Sequence, residues 1–494
     1  MSIREYPEAI LQAYINNMKK IISLTLVFLT LISAVACDTA DISSDDTVYT
    51  TETNVNTEKG TDDNLESDTV LTIEPTTPNG YDGVFKVGYA RTVITPTLPL
   101  TREGYKVDKV LDDLYVTCVA VNDGERTVLL YTIDMQNVSE SFCNTIASKV
   151  KAATNVSAKN IFISATHTHS SFYYSSDKTW KTQTATKMAN IAKEAIDDLC
   201  DAEIYTAVEH TPGMAFVRRY INSDGSYSSV NPTTNTVKCV SEADDTLQVI
   251  RFVRDNKKDV VMTNWQGHLA HAVTARPNAI TADLAYYVRN DVEKGDSDAL
   301  IAFYAGASGN LNLNAPTAAD KKYANYKAVG SALAKKVLEA SALDNMTKVE
   351  AGKITATRKT YRAETQKDPA DVLAAAKANK ANRKDTVADR YIIARNKETS
   401  ISMVLGVISF GDLGFISAPY EMFDNNGVQI KDGSPFKMTF ILTNAWGDLA
   451  YIPSYEACTI YGGYETEATY FGVGVAEKLV AEYVRMLKEH KGIS

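Results

Sequence analysis

The sequence predicts an α/β domain with a mixed β-sheet core flanked by helices. From Val84 onward, short runs rich in β-branched and aromatic residues recur, each followed by polar or glycine-containing sequence. Between them, apolar residues recur at three- and four-residue spacing, as on one face of an amphipathic helix. Alternation of strands and helices is typical of a sheet covered by helices, and 494 residues suffice to bury a large core.

The first element is a predicted export signal. Residues 18–20 (Met-Lys-Lys) precede an apolar run over residues 21–36, which ends in small residues just before Cys37. A positive start, a short apolar region and small residues before a cleavage point are typical of a signal peptide. Cys37 resembles the lipidated cysteine of a bacterial lipobox, although Ala34 replaces the usual large aliphatic residue. We expect an envelope lipoprotein anchored to a membrane through Cys37, with plain secretion as the alternative, and residues 1–17 as an over-extended start.

A predicted flexible linker follows, over residues 38–80. It holds eleven Asp and Glu against one Lys, which accounts for the whole net charge of −10, and it is rich in Thr and poor in aromatic residues. Such a segment cannot bury enough apolar surface to offset the entropy lost on ordering. The remaining domain, residues 81–494, is nearly neutral. A nucleic-acid partner is therefore not expected, because phosphate binding needs a clustered basic face.

The elements of the domain follow from periodicity. Residues 188–199 carry an apolar helical face, and residues 473–490 predict a closing helix. Residues 366–395 are rich in Ala, Lys and Asn and predict a surface excursion rather than a second domain. The predicted strands are residues 128–133, 161–165, 260–264, 300–304, 413–417 and 440–443.

The cysteines do not indicate a disulfide framework. With Cys37 used for lipid, five remain, and no CxxC pair occurs among them. We expect at least one free, buried thiol.

Three of the six histidines stand just beyond predicted strands. His167 and His169 follow residues 161–165, and His268 follows residues 260–264. Ligands of open α/β sheets bind beyond the carboxyl ends of strands, where loops converge. In extended chain, residues two positions apart point to the same face. The spacing favours a metal ligand beside an acid/base residue, although such a pair also occurs in ordinary surface strands.

A loop of small residues, Gly-Ala-Ser-Gly-Asn over residues 306–310, follows the strand at 300–304. It has part of the GxSxG pattern of a nucleophile elbow but lacks the second glycine. One interpretation is a tight turn; the other is substrate positioning by Ser308 and Asn310, since small residues let a substrate approach the backbone.

The segment NIFISATHTHS, residues 160–170, closely resembles the "SATHTHSG" segment of the neutral, non-lysosomal ceramidases. These are zinc amidases that cut the N-acyl bond of ceramide. The resemblance covers most of residues 84–490 in motif order and is more specific than the paired histidines alone. Further similar segments are residues 87–96, 264–268, 281–283, 308–312, 419–421 and 464–472, together with Tyr451.

The resemblance implies one Zn2+ per chain and a set of site residues. Arg219 is an alternative to Arg218, because the local match is poor there. Tyr461 is an alternative to Tyr464, because this chain carries one extra residue between Tyr451 and the second tyrosine. We expect His169 to take a proton from the attacking water and to pass it to the leaving amine. The implied zinc ligands are His167, His268, Glu421 and Tyr451, and the residues implied around the scissile bond are His169, Tyr464 and Arg218.

Two departures from the family limit what it implies. The chain stops soon after Tyr464, so we expect the catalytic domain without the family's C-terminal immunoglobulin-like domain. The substrate-side loops also diverge, at residues 308–312 and 216–220, so an N-acyl amide is better supported as substrate than ceramide itself. No obligate protein partner is expected. The alternatives are a serine esterase that uses Ser308 and a non-catalytic surface lipoprotein that binds a glycan or lipid.

Overall fold

The fold is described by a computed structural model for residues 83–102, 104–174, 177–313, 323, 325–365, 400–469 and 471–493. These residues all belong to one compact unit, Thr69–Ser494. The predicted signal peptide with Cys37, the linker at residues 38–80 and the surface excursion at residues 366–395 lie outside the described residues.

The described strands are numbered in chain order. They are β1 (Lys86–Val93), β2 (Leu100–Arg102), β3 (Tyr105–Val107), β4 (Lys109–Val110), β5 (Tyr115–Asn122), β6 (Thr127–Ile133), β7 (Ile161–Ala165), β8 (Cys200–His210), β9 (Phe216–Val217), β10 (Arg219–Asn222), β11 (Tyr227–Ser229), β12 (Thr236–Cys239), β13 (Thr246–Arg254), β14 (Asp259–Trp265), β15 (Ala279–Ile280), β16 (Ala299–Ala305), β17 (Leu311–Asn312), β18 (Thr347–Val349), β19 (Ile354–Glu364), β20 (Ser400–Phe410), β21 (Leu413–Ser417), β22 (Glu421–Met422), β23 (Met438–Leu442) and β24 (Tyr451–Ile452).

The described helices are numbered in the same way, and a π-helical turn covers Ala457–Tyr461. They are α1 (Glu140–Thr154), α2 (Lys178–Asp197), α3 (His271–Ala275), α4 (Leu284–Gly295), α5 (Tyr326–Ser341), α6 (Asp424–Gly433), α7 (Tyr464–Glu467) and α8 (Val475–His490).

Two mixed sheets form the centre of the domain. The larger has nine strands in the order β16-β14-β13-β8-β1-β5-β6-β7, with β18 beside β8, and the smaller has the order β19-β20-β21-β23. Three neighbouring pairs run parallel: β6 with β7, β14 with β16, and β21 with β23. Within each pair the carboxyl ends of the two strands lie side by side, so the loops that follow the pair start close together.

Apolar side chains of both sheets pack face to face between them. Strand β6 is buried along almost its whole length, so its successive residues serve opposite faces of the sheet. Leu130 packs toward the second sheet, whose Phe415 and Phe440 belong to the same core cluster, while Tyr131 packs with the helices on the outside. Each fully buried side chain of this size stabilises the fold by about 1.5–3 kcal/mol before entropy is counted.

Helices cover the outer faces of both sheets. Helices α1 and α2 pack on the β1-β5-β6-β7 half of the larger sheet, and α4 and α5 pack on the other half. Helix α8 covers the smaller sheet. Helix α1 begins at Ser139, whose side chain accepts the Phe142 N–H, and ends at Asn155 in the left-handed conformation. The layers are therefore helix, sheet, sheet, helix, and the predicted mixed sheet core flanked by helices is confirmed.

Two further observations concern the described residues. All five of their cysteines are free thiols, and Cys118, Cys143 and Cys458 are buried. None of their helices has both the length and the apolar character needed to cross a membrane.

Candidate functional site

The loops that follow the parallel strand pairs bring the predicted site residues together. The larger sheet supplies the loops after β7, β14 and β16, and the smaller sheet supplies those after β21 and β23. The crevice that the sequence predicts beyond the strand ends is thus built from both sheets. In chain order, these loops carry His167 with His169, His268, Ser308 with Asn310, Glu421 and Tyr451.

Three imidazoles converge on one point. His169 Nε2 lies 3.2 Å from His167 Nε2 and 3.1 Å from His268 Nε2. His167 and His268 are buried, and His167 takes a positive φ of 63°, which turns the chain after β7 toward the site. Among the described residues these three histidines form a group that could hold a metal ion.

Backbone carbonyls fix the orientation of two of the rings. The Nδ1 of His167 donates to the Gln136 carbonyl oxygen at 2.7 Å, and the Nδ1 of His268 donates to the Ser308 carbonyl oxygen at 3.1 Å. In this neutral tautomer each Nε2 presents a lone pair to the site. A carbonyl partner for the second ring nitrogen is typical of histidines that ligate a metal.

Glu421, which follows strand β21 of the smaller sheet, contacts the histidine cluster. Its Oε2 lies 3.1 Å from His167 Nε2, yet it has no hydrogen-bond partner among the described residues although the atom is buried. With the His167 proton placed on Nδ1, the two facing atoms are both acceptors. Two acceptors at this distance repel unless a proton or a cation lies between them, so the residues fit a metal ion.

Burial keeps the imidazoles of His169 and His268 neutral. Loss of hydration lowers the pKa of His169 well below its usual range, and the neighbouring His167 and Arg218 lower it further. Burial, Arg218 and the two other histidines likewise lower the pKa of His268. Neutral imidazole is the form that binds a metal or accepts a proton.

Tyr451 lies beside Glu421, and Arg218 reaches its hydroxyl. Burial raises the pKa of the Tyr451 phenol well above its usual value; the Glu421 carboxylate acts in the same direction and the Arg218 guanidinium opposes it. Arg218 Nη2 donates to Tyr451 Oη at 3.2 Å and to the Gly309 carbonyl oxygen at 2.9 Å. Of the four implied zinc ligands, His167 and His268 thus belong to the histidine cluster, Glu421 contacts His167, and Tyr451 lies beside Glu421.

A buried carboxylate joins the two neighbouring arginines. Glu465 Oε1 accepts from Arg218 Nε at 2.6 Å, and Oε2 accepts from Arg219 Nη2 at 2.6 Å. Burial raises the pKa of Glu465, but the two guanidinium groups outweigh this effect and hold it below its usual value. Arg219 lies over the Phe423 ring, with its Cζ 4.7 Å from the ring centroid. Of the two arginines, Arg218 is thus the one that donates a hydrogen bond to Tyr451.

The two candidate tyrosines after residue 460 lie in different surroundings. The Tyr464 ring centroid is 5.7 Å from that of Tyr451, and Tyr464 is half exposed. Tyr461 packs edge-on against Tyr227 at 5.2 Å. Tyr464 is thus the one placed beside the site, at its solvent side.

The loop over residues 306–310 contacts protein groups on several sides. A Cβ at Gly309 would lie 2.8 Å from the Glu421 carbonyl oxygen, so glycine here lets two backbone segments approach closely. The Asn310 amide donates to Asp424 Oδ1 at 2.5 Å and accepts the Asp424 N–H at 2.8 Å. Ser308 contacts His268 through its carbonyl oxygen. The substrate-binding roles of Ser308 and Asn310 stay predictions.

Three contributing residues were not assigned a role from the sequence: Gln136, Asp424 and Glu465. Gln136 acts through its backbone carbonyl, which no side-chain pattern can indicate. Asp424 and Glu465 act on residues more than a hundred positions away. Glu465 directly follows Tyr464 in the segment that resembles the family, and this position was the available signal.

Comparison with known proteins identifies the fold. Two solved structures share it: "Ceramidase complexed with C2", with TM-score 0.64, and neutral ceramidase from Pseudomonas aeruginosa, with TM-score 0.62. Each is 14% identical to this chain and covers 83% of it, which corresponds to 76% and 75% of the respective known chains. Neither a protein-family model nor a curated protein sequence matches this chain. At this identity the comparison shows a common fold.

Proposed function

We propose that this chain is a zinc-dependent amidase that hydrolyses an N-acyl amide bond, in ceramide or a related N-acyl lipid. The observation that carries the proposal is the contact between His167 Nε2 and Glu421 Oε2, two buried acceptors 3.1 Å apart beside two further imidazoles. The fold shared with ceramidases and the segment at residues 160–170 support the same reaction class.

Zinc is the ion that the donor set suits best. His167 and His268 would supply nitrogen and Glu421 would supply oxygen, a set of three protein ligands of the kind that leaves a position for water at catalytic zinc, and Tyr451 would add a further oxygen. Zinc bound there would lower the pKa of a water molecule and polarise the amide carbonyl.

His169 is placed to move the proton. Its Nε2 lies within 3.2 Å of both proposed histidine ligands, and its lowered pKa keeps the ring unprotonated and ready to accept. We assign it the removal of a proton from the water that attacks the carbonyl carbon. The same nitrogen then delivers that proton to the amine as the C–N bond breaks, which leaves a carboxylic acid and a free amine.

Arg218 and Tyr464 provide the surroundings of the amide. Arg218 contributes a fixed positive charge next to Tyr451, where negative charge develops on the carbonyl oxygen during attack. Tyr464, half exposed beside Tyr451, can donate its hydroxyl proton in a hydrogen bond to the same oxygen. Both side chains orient the substrate relative to His169.

The alternative serine esterase would need the Ser308 hydroxyl next to a base. The described contact joins His268 to the Ser308 carbonyl oxygen instead. A non-catalytic role in binding a glycan or lipid would not explain why two buried acceptors, His167 Nε2 and Glu421 Oε2, face one another. We also propose that the protein is exported and anchored to a membrane by lipid on Cys37, so that the site faces an extracytoplasmic lipid or N-acyl substrate.

The decisive experiment combines metal analysis with a substrate panel. Purified protein would be analysed for zinc and assayed on fluorescent N-acyl amides of differing acyl length, including a ceramide, before and after chelation. We expect one zinc per chain, activity lost on chelation and restored by Zn2+, and a preference for long acyl chains. Activity that survives removal of all metal would exclude the amidase mechanism, and a protein that neither binds zinc nor cleaves any amide would favour a binding role.

A further inference from the structure

Glu465 is a fully buried carboxylate whose two oxygens serve two arginines. It has no exposed surface, and Arg218 and Arg219 are 6% and 2% exposed. Each oxygen accepts a charge-assisted hydrogen bond of 2.6 Å. Burying three charges is costly unless their geometry is well matched, so the arrangement calls for an explanation in terms of what it holds in place.

The second arginine changes the charge balance. An ion pair of Arg218 and Glu465 alone would have no net charge, whereas two arginines with one carboxylate have a net charge of one positive unit. Arg219 is also fixed independently, because its Nε donates to the Gly462 carbonyl oxygen at 2.8 Å and its guanidinium covers the Phe423 ring. Because Glu465 divides its negative charge between two arginines, it binds Arg218 strongly without cancelling the whole positive charge of Arg218.

The geometry of the guanidinium transmits this restraint to the site. The group is planar and rigid, so fixing Nε at Glu465 also fixes the direction of Nη2. That Nη2 is shared by the Gly309 carbonyl oxygen and the Tyr451 hydroxyl, at 2.9 and 3.2 Å. If Arg218 rotated, Tyr451 would lose the hydrogen bond that its hydroxyl oxygen accepts from Nη2.

We propose that Glu465 is a positioning residue that acts through Arg218 to hold the Tyr451 oxygen in the direction of the histidine cluster. The proposal rests on the function proposed above in one respect, namely that Tyr451 binds the metal. Glu465 itself touches neither substrate nor metal. A purely structural brace would also be destabilising when removed, so the test needs a signal that comes from Tyr451 and not from stability.

Copper-substituted protein gives that signal. A tyrosinate bound to Cu2+ produces a charge-transfer absorption, so wild-type protein should show the band and Tyr451→Phe should lack it. We expect Glu465→Gln to bind one Cu2+ per chain while losing most of the band intensity. On the zinc protein, we expect kcat to fall by about 10- to 100-fold with a smaller change in KM, as for other outer partners of metal sites.

Asp259→Asn is the matched control for stability. Asp259 accepts from the buried Arg251 at 2.7 Å in a cluster of the larger sheet that includes Asp296. The Asp259→Asn substitution should lower Tm while leaving the copper band unchanged. Glu465→Asp covers the case in which Glu465→Gln does not fold, because the shorter carboxylate keeps its charge but cannot span both arginines. It should fold and give an intermediate band.

The outcomes separate the two proposals. A wild-type copper band that persists at full intensity in Glu465→Gln, or in Glu465→Asp if the first variant does not fold, would overturn the positioning role and leave the metal site standing. If wild-type protein binds copper but has no charge-transfer band that disappears in Tyr451→Phe, then Tyr451 is not a ligand. Wild-type protein that binds no metal would overturn the metal site and the positioning role together.

Discussion

Glu421 and Tyr451 occupy paired positions on two short parallel strands, β22 and β24. The Glu421 N–H donates to the Ala450 carbonyl oxygen at 2.8 Å, and Ala450 takes a positive φ of 57° just before Tyr451. The two oxygen donors therefore come to the site as one backbone unit. Their spacing is set by the strand pair, and their distance from the histidines is set by the packing of the two sheets.

Replacing Glu421 by Gln should weaken metal binding and strengthen the metal-free fold. The amide removes a ligand charge, so we expect zinc affinity to fall by more than about 100-fold, beyond the usual effect of outer partners. Its NH2 group can donate to His167 Nε2 where two acceptors now face each other, which should stabilise the metal-free protein by about 0.5–1.5 kcal/mol. Competitive zinc titration and thermal unfolding in chelator would measure both effects. Unchanged zinc affinity would remove Glu421 from the ligand set.

His169→Ala tests whether this residue moves protons or binds metal. As a proton carrier, His169 should contribute about 10²- to 10⁴-fold to turnover, and its loss should leave one zinc per chain. Zinc content by elemental analysis and kcat on an N-acyl amide are the two measurements. Loss of zinc together with turnover would make His169 a third histidine ligand, which its central place in the cluster also allows. Near-normal turnover would contradict both roles.

Ser308→Ala distinguishes a nucleophile from a backbone contact. His268 is held by the Ser308 carbonyl oxygen, which alanine keeps. We expect zinc content to be unchanged and kcat/KM to fall by less than about tenfold, as for a side chain that only adjusts substrate position. A loss of about 10³-fold or more with zinc retained would favour the serine esterase.

Asn310→Ala should act mainly on stability. It removes both hydrogen bonds between this side chain and Asp424 and leaves a buried carboxylate short of a partner, which costs about 1–3 kcal/mol. Thermal unfolding would show the loss, and the exposed Asn345→Ala gives a matched control with a small effect. A large rise in KM at unchanged Tm would instead support the substrate contact that the sequence suggests.

His490 gives a pH dependence to stability. Burial lowers its pKa from 6.5 to about 4, and its ring nitrogens contact Thr357 and Ser409 hydroxyls at 2.9 Å each. Between pH 6.5 and 4 the unfolded chain therefore binds a proton that the folded protein does not. The contribution of His490 is complete above pH 6.5 and is lost as pH falls through this window.

The measurement compares wild type with His490→Gln. Urea unfolding at pH 7 and pH 5 should show a larger loss of stability for wild type, since other titrating groups are common to both proteins. Equal losses would mean that His490 takes up its proton in the folded state.

Continuous apolar runs allowed six of the buried strands to be predicted from sequence, whereas β1, β5, β8 and β13 in the middle of the larger sheet were not predicted. The strand at residues 161–165 has the predicted bounds, because its side chains are buried on both faces. By contrast, β19 and β20 were not predicted. Strand β19 is half exposed and alternates Thr, Arg and Lys with small apolar residues, so its sequence lacks the apolar run of a central strand.

The site residues also fall into two groups, those that local sequence predicts and those that it does not. The histidine pair and its place beyond a strand follow from local spacing, whereas Glu421, Tyr451 and Arg218 depend on the family resemblance. The Arg218–Glu465 contact joins residues 247 positions apart, and only tertiary packing creates it. The sequence around either residue therefore could not predict this contact.

The histidines follow strands of the larger sheet, and Glu421 and Tyr451 follow strands of the smaller one, so a metal ion bound here would tie the two sheets together. Binding to the folded chain alone stabilises it by about 4 kcal/mol at a free metal concentration 1,000 times Kd. A cell that depletes zinc would then lose more than catalysis. The folded population itself would become a function of metal supply, and the protein's lifetime would follow the zinc available to it.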